Sequence, residues 1–148
     1  MTTLQEATAL GQKEHGLAVV STLRADGTVQ ASVVNAGVLP HPATGVPVLA
    51  FVTYGRVKLA NLRARPQTTA TFRYGWQWAT VEGRAQLAGP DDAQPWLDPE
   101  ALRLLLRAVF AAAGGDHEDW AEYDRVMAEQ RRTVVLVEPS RVYGSAAV

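Results

Sequence analysis

Apolar positions along the first turns of the chain recur at helical spacing. Leu4, Ala7, Leu10 and Gly11 share one side, which predicts a short helix over residues 3–14. From Gly16 the rhythm changes. The run GLAVVSTLR (16–24) is apolar and β-branched and ends in the turn signal Ala25-Asp26-Gly27. TVQASVVNAGVL follows from Thr28, and the two runs predict a hairpin. The stretch Pro40-His41-Pro42-Ala43-Thr44-Gly45 breaks the pattern, and VPVLAFVTY (46–54) resumes it as a third strand.

In the next segment, Leu59, Leu62 and Val57 lie at spacings that suit the buried face of a helix over about 57–64. Pro66 stops it, because the residue before a proline is pushed out of the helical region. Strands at 67–74 and 76–88 follow, with Gly75 at the bend. In the second of these Trp76, Trp78, Thr80, Glu82 and Arg84 share one face, while Gln77, Ala79, Val81, Gly83 and Ala85 share the other. Asp98 and Pro99 open a helix striped by Leu102, Leu105, Leu106, Val109 and Phe110, which ends at Gly114 or Gly115. Asp116 is placed to cap a second helix with Trp120, Tyr123 and Met127 on one face, and a last strand covers 133–144. Six short strands, mostly in hairpin succession, favour an α+β fold built on a closed antiparallel barrel, with a helical insertion at about 91–130 before the last strand. The length of 148 residues suits one domain over 1–148.

The charge distribution adds a function class. The net charge is -1, yet no Asp or Glu stands between Asp26 and Glu82, while Arg56, Lys58, Arg63, Arg65 and Arg73 all fall in that window. Such asymmetry suits an anionic partner, against the alternatives of a solvated helix face and strands whose buried sides exclude acids. A sequence pI of about 6.3 speaks against general nucleic-acid binding. With no cysteine and three scattered histidines, no metal site is expected. The N-terminus lacks the basic and apolar regions of a signal peptide, and no apolar run approaches bilayer length, so the chain reads as cytoplasmic with no membrane association.

Arg56 and Lys58 open the basic helix, where free backbone N–H groups and a partial positive charge favour a phosphate. Asn61, one turn on, either donates to the same ligand or braces the loop. The glycines show neither dinucleotide-fold nor P-loop spacing, and there is no nucleophile elbow. The acids Asp91-Asp92 and Asp116 with Asp119 read as helix caps, and Glu82 as a partner of Arg84 or Arg73. Trp76 and Trp78, beside Tyr74, read as core or interface packing, or as a flat wall against a planar ring. His41, between two prolines, is a loop residue available as a substrate contact.

The segments VLAFVTYGRVKLANLRARPQTTATF and GWQWATVEGRAQLAGPDD, in this order after the hairpin, resemble the pyridoxamine 5'-phosphate oxidase-like split β-barrel superfamily. More closely, the chain is similar to the actinobacterial branch that binds the deazaflavin coenzyme F420. TLRADGTVQASVV (22–34) resembles that branch's first strands. Arg56, Lys58, Asn61, Leu62 and Pro66 match its R-x-K-x-x-N-L-x-x-x-P segment, and Gly75, Trp76, Thr80, Val81 and Gly83 match its GWxxxTVxG strand. The likeness covers roughly residues 5–92 and the final strand. The loop LPHPATGVPV and the insertion at 91–130 are larger than that pattern.

The resemblance implies a homodimer with two cofactor sites at its interface. Arg56 and Lys58 would hold the cofactor phosphate. Strand backbone around Val33–Asn35 and Ala50–Thr53, including Phe51, would line the ring, and Trp76 and Trp78 would close the site from the other subunit. Arg63, Arg65 or Arg73 would meet a glutamate tail, which coenzyme F420 carries and FMN lacks. The implied activity is hydride transfer between the reduced deazaflavin and a small-molecule acceptor such as an enone, imine or tetrapyrrole. Tyr54, Tyr74 and His41 are candidate proton donors. The alternatives are an FMN-dependent oxidase or reductase of the pyridoxamine phosphate oxidase type, and a non-catalytic F420-binding carrier.

Overall fold

In the computed structural model, which describes residues 2–145, all six predicted strands form. The order is α1 (Leu4–Gln12), β1 (Leu17–Leu23), β2 (Val29–Pro40), β3 (Pro47–Thr53), α2 (Arg56–Ala64), β4 (Gln67–Tyr74), β5 (Gln77–Ala88), α3 (Pro99–Ala112), α4 (Trp120–Glu129) and β6 (Thr133–Gly144). The strands close into an antiparallel barrel in the order β1-β2-β3-β6-β5-β4. β6 completes it by pairing with β3 over its first half and with β5 along its length. β5 is bulged between Glu82 and Gly83. A Cβ at Gly83 would stand 2.2 Å from the Glu138 carbonyl oxygen, so only glycine lets the two strands approach there.

Alternation along the strands sends Val20, Leu49, Phe51, Phe72, Val81, Val135 and Val137 into the barrel, where they are buried. α1 plugs the mouth at which β1 starts, burying Leu4, Ala7 and Leu10 in the same core. α2 enters at the opposite mouth through Leu59 and Leu62. α3 and α4 lie on the outside, where Leu105, Leu106, Val109 and Tyr123 build a second core over Val48, Ala50, Val134 and Leu136. Gly37 makes that docking possible. A Cβ on it would come within 2.2 Å of the Ala112 carbonyl oxygen at the end of α3.

Three local expectations are corrected. Asp98 does cap α3, but α4 starts at Trp120 under Asp119; the Asp116 carboxylate instead accepts from the neighbouring His117 N–H. Asp91 and Asp92 are not caps but ion-pair partners of Arg131 and Arg63. Glu82 pairs with neither arginine and accepts from the Tyr143 hydroxyl at 2.6 Å.

Candidate functional site

Gly55 is the N-cap of α2 and has no side chain to satisfy the helix's first amides, which in any α-helix lack internal acceptors. At about 100° per residue, the helix turns Lys58, Leu59, Asn61 and Leu62 into one arc and leaves Val57 outside it. Those four are buried and Val57 is exposed, contrary to the reading that placed Val57 in the hydrophobic face. A lysine takes the inward position instead. Lys58 is 6% exposed, and its Nζ donates to Thr53 Oγ1 at 3.1 Å; the same hydroxyl accepts from the Gly55 N–H at 3.2 Å. No carboxylate among the described residues pairs with Lys58. Burial, helped by repulsion from Arg132, holds its pKa below the ordinary lysine value. Arg56 is exposed at the first turn, likewise without a carboxylate among the described residues.

Arg132 was not singled out by the sequence, because it follows Arg131 just before the last strand and looks like an ordinary helix-end cation. The structure lays its guanidinium over the Tyr54 ring, 3.9 Å from the centroid, and its Nε donates to Gln130 Oε1 at 2.9 Å. Burial lowers its pKa too, and no described carboxylate compensates it. Thr53, Tyr54, Lys58 and Arg132 thus form a cluster carrying two adjacent, partly desolvated cations without an acid.

The other basic residues of the window are engaged. Arg63 makes a two-pronged pair with Asp92, at 2.8 and 2.7 Å. Arg65 donates to the Leu23 carbonyl at 2.9 Å and Arg73 to the Gly75 carbonyl at 3.0 Å. Asn61 braces rather than faces a ligand: it donates to Thr22 Oγ1, which donates on to Gln30 Oε1.

The residues expected along a ring fall on both sides of the barrel wall. Val33 and Asn35 project outward from β2, whereas Phe51 is wholly buried in the core and Thr53 turns in towards Lys58. Trp76 is 98% exposed at the β4–β5 turn, so it is not core, and Trp78 meets Tyr143 edge-on beside it. With Tyr74, whose ring lies under Lys13, they stand at the mouth opposite α2. His41 is held in its own loop. Its Nδ1 accepts from the Ala43 and Thr44 amides, and its Nε2 lies 2.7 Å from Gln86 Oε1, across from Trp96.

A family model for pyridoxamine 5'-phosphate oxidase matches residues 4–146. Among solved structures the fold is similar to a protein named F420 reductase, at 17% identity over 95% of this chain and 93% of that one, with a TM-score of 0.57. It is similar to an FAD-binding protein from Mesorhizobium loti at 12% identity, over 97% and 94% of the two chains (TM-score 0.61). A conserved hypothetical protein from Mycobacterium tuberculosis aligns at 17% identity over 86% and 75% (TM-score 0.62).

Proposed function

The chain belongs to the pyridoxamine 5'-phosphate oxidase family, and from that premise we propose that it is an oxidoreductase dependent on coenzyme F420, working as a homodimer. One observation carries the reading: Lys58 is buried at the open N-terminus of α2, bonded only to a hydroxyl, with no carboxylate to compensate it. A buried, unpaired ammonium is unfavourable unless an anion joins it. The residues present fit a phosphate: the uncapped first-turn amides of α2 and the Lys58 ammonium on the Thr53 hydroxyl lie at one end of the helix, and Arg56 is exposed on its first turn.

In this reading Arg56 and Lys58 hold the phosphate and the outward residues of β2 at Val33 and Asn35 flank the ring. Trp76 and Trp78 reach the site from a second copy, since their own barrel carries them at the far mouth. The bound coenzyme supplies a hydride equivalent for a conjugated acceptor such as an enone, imine or tetrapyrrole. The protein binds, orients and excludes water. Of Tyr54, Tyr74 and His41, only Tyr54 belongs to the cluster.

The Arg63–Asp92 pair favours a second reading, FMN in place of the deazaflavin. With Arg63 neutralised, and Arg65 and Arg73 turned to backbone carbonyls, fewer cations are left for an anionic tail. Titration of the cofactor-free protein with coenzyme F420 and with FMN, at two salt concentrations, separates the two. Micromolar, salt-sensitive F420 binding supports the first reading, and FMN preference the second. Lys58→Ala is expected to weaken either ligand by about 1.5–3 kcal/mol, the size of a charged hydrogen bond. Unchanged affinity would remove the phosphate from this helix.

A further inference from the structure

Arg132 has a second aspect that the cofactor reading leaves unused. Beneath the α3–α4 insertion, against the outer face of β2 and β3, lies a cavity of about 290 Å³ whose lining includes Asn35, Val52, Phe110, His117, Tyr123 and Arg132. The insertion supplies its roof. Phe110 and Tyr123 are in ring contact at 5.0 Å, and His117 meets Tyr123 at 5.7 Å. Tyr123 is fixed by donating its hydroxyl to the Leu106 carbonyl at 2.9 Å, so these rings form a wall of set shape. Asn35, outward on β2, gives its amide N–H to the His15 carbonyl and is held at the cavity by that bond.

The cation is what makes this more than a packing gap. Arg103, Arg107, Arg125 and Arg131, the other arginines of the α3–α4 region, each have a carboxylate partner. Arg132 has none among the described residues. Only its Nε is taken, by Gln130, and the stack on Tyr54 holds the guanidinium plane in place. Its terminal N–H groups form a preorganised fork of the kind that takes a carboxylate through two parallel bonds. Apart from the fork, Asn35 and His117, the lining is apolar and aromatic, which suits a ligand with one charged end and an otherwise apolar body. A hydrated inorganic dianion would find too few donors there.

We propose that this cavity binds a small aromatic carboxylate, with Arg132 gripping the carboxylate and the ring lying between Val52 and the Phe110–Tyr123 wall. Its volume, at the lower end for ligand pockets, restricts the body to one or two rings. That such a compound is the acceptor of the reaction rests on the cofactor reading above; that it binds does not.

The test is calorimetric titration of the full, cofactor-free chain with trans-cinnamate and with cinnamyl alcohol, which has the same body without the charge. Cinnamate is expected to bind saturably. The alcohol should bind at least about tenfold more weakly, and Arg132→Gln should weaken cinnamate by about the same factor without affecting the alcohol. Val52→Phe, which fills the cavity and leaves the guanidinium intact, should abolish binding of both. Absence of saturable cinnamate binding at millimolar concentration, or affinity unchanged in either variant, would overturn the proposal. So would an Arg132→Gln variant that loses coenzyme F420 and keeps cinnamate, because the guanidinium would then serve the Lys58 anion. Parallel titration with coenzyme F420 keeps the two readings apart, since either ligand can fail while the other binds.

Discussion

Lys58 is the residue at which charge and burial conflict most directly. Its folded-state pKa is lowered from 10.5, so below that folded value both folded and unfolded chains carry the proton, and the folded chain bears the penalty in full. Between the folded value and 10.5 the unfolded chain binds more protons, and stability rises with pH. Lys58→Met keeps the length and removes the charge. It is expected to stabilise the cofactor-free protein by about 1 kcal/mol at pH 7, roughly 2–4 °C in Tm, with the gain shrinking in alkali. Thermal melts at pH 7 and pH 10 check this, and a variant less stable at pH 7 would mean that the ammonium is compensated. A bound anion reverses the sign: affinity should fall as pH rises through the free Lys58 value, with proton uptake on binding. The sequence made Arg56 and Lys58 legible, because two cations at the start of a helix in an acid-free window are visible as text. Arg132 was not, since what distinguishes it from Arg131 is the lack of an acid nearby, and only the fold assigns Asp91 to one and Tyr54 to the other.

Among the elements, strands and helices followed from periodicity because each has a clear apolar stripe and firm punctuation. The starts of helices depend on more than the stripe. Asp116 and Asp119 are both good caps by composition, and the choice between them depends on the loop: the His117 ring accepts the Asp119 N–H at 3.0 Å, closing a turn that leaves the Asp119 carboxylate to accept from the Glu122 N–H in the first turn of α4. Asp119→Ala should therefore destabilise the protein by about 0.5–2 kcal/mol and Asp116→Ala by much less. Equal effects in denaturant melts would return the cap to Asp116. The seat of α3 on β2 is a tighter constraint. Gly37→Ala forces backbone against backbone at Ala112, with no flexible side chain to yield, and is expected to cost about 1–3 kcal/mol. A neutral result there would show that α3 can lift from the barrel, and the cavity roofed by the insertion would lose its fixed shape.

At the scale of the whole molecule, hairpin succession was enough to foresee a closed barrel, but not how its outer surface is divided. The insertion covers the β2–β3–β6 side. On the other side, register places Val33 opposite Val19 and Val19 opposite Thr71, a row across β2, β1 and β4 with no charged side chain. Val33 is 62% exposed, and Val29, Val19 and Leu17 are exposed with it. An exposed apolar patch on β1 and β2 suits a protein contact, and a second copy is the occupant that the cofactor reading requires. Trp76 and Trp78 stand at the mouth opposite Lys58, so one chain cannot bring both to the same ligand. Val33→Lys places a charge at the most exposed position of the row and is expected to turn a species of twice 16.0 kDa into one of 16.0 kDa in sedimentation, and to weaken coenzyme F420 binding in parallel. Trp76→Ala should leave the mass unchanged and weaken the coenzyme alone. If the Val33→Lys chain sedimented as a monomer and still bound the coenzyme at full strength, the ring would lie within one barrel, and the exposed tryptophans would need another partner.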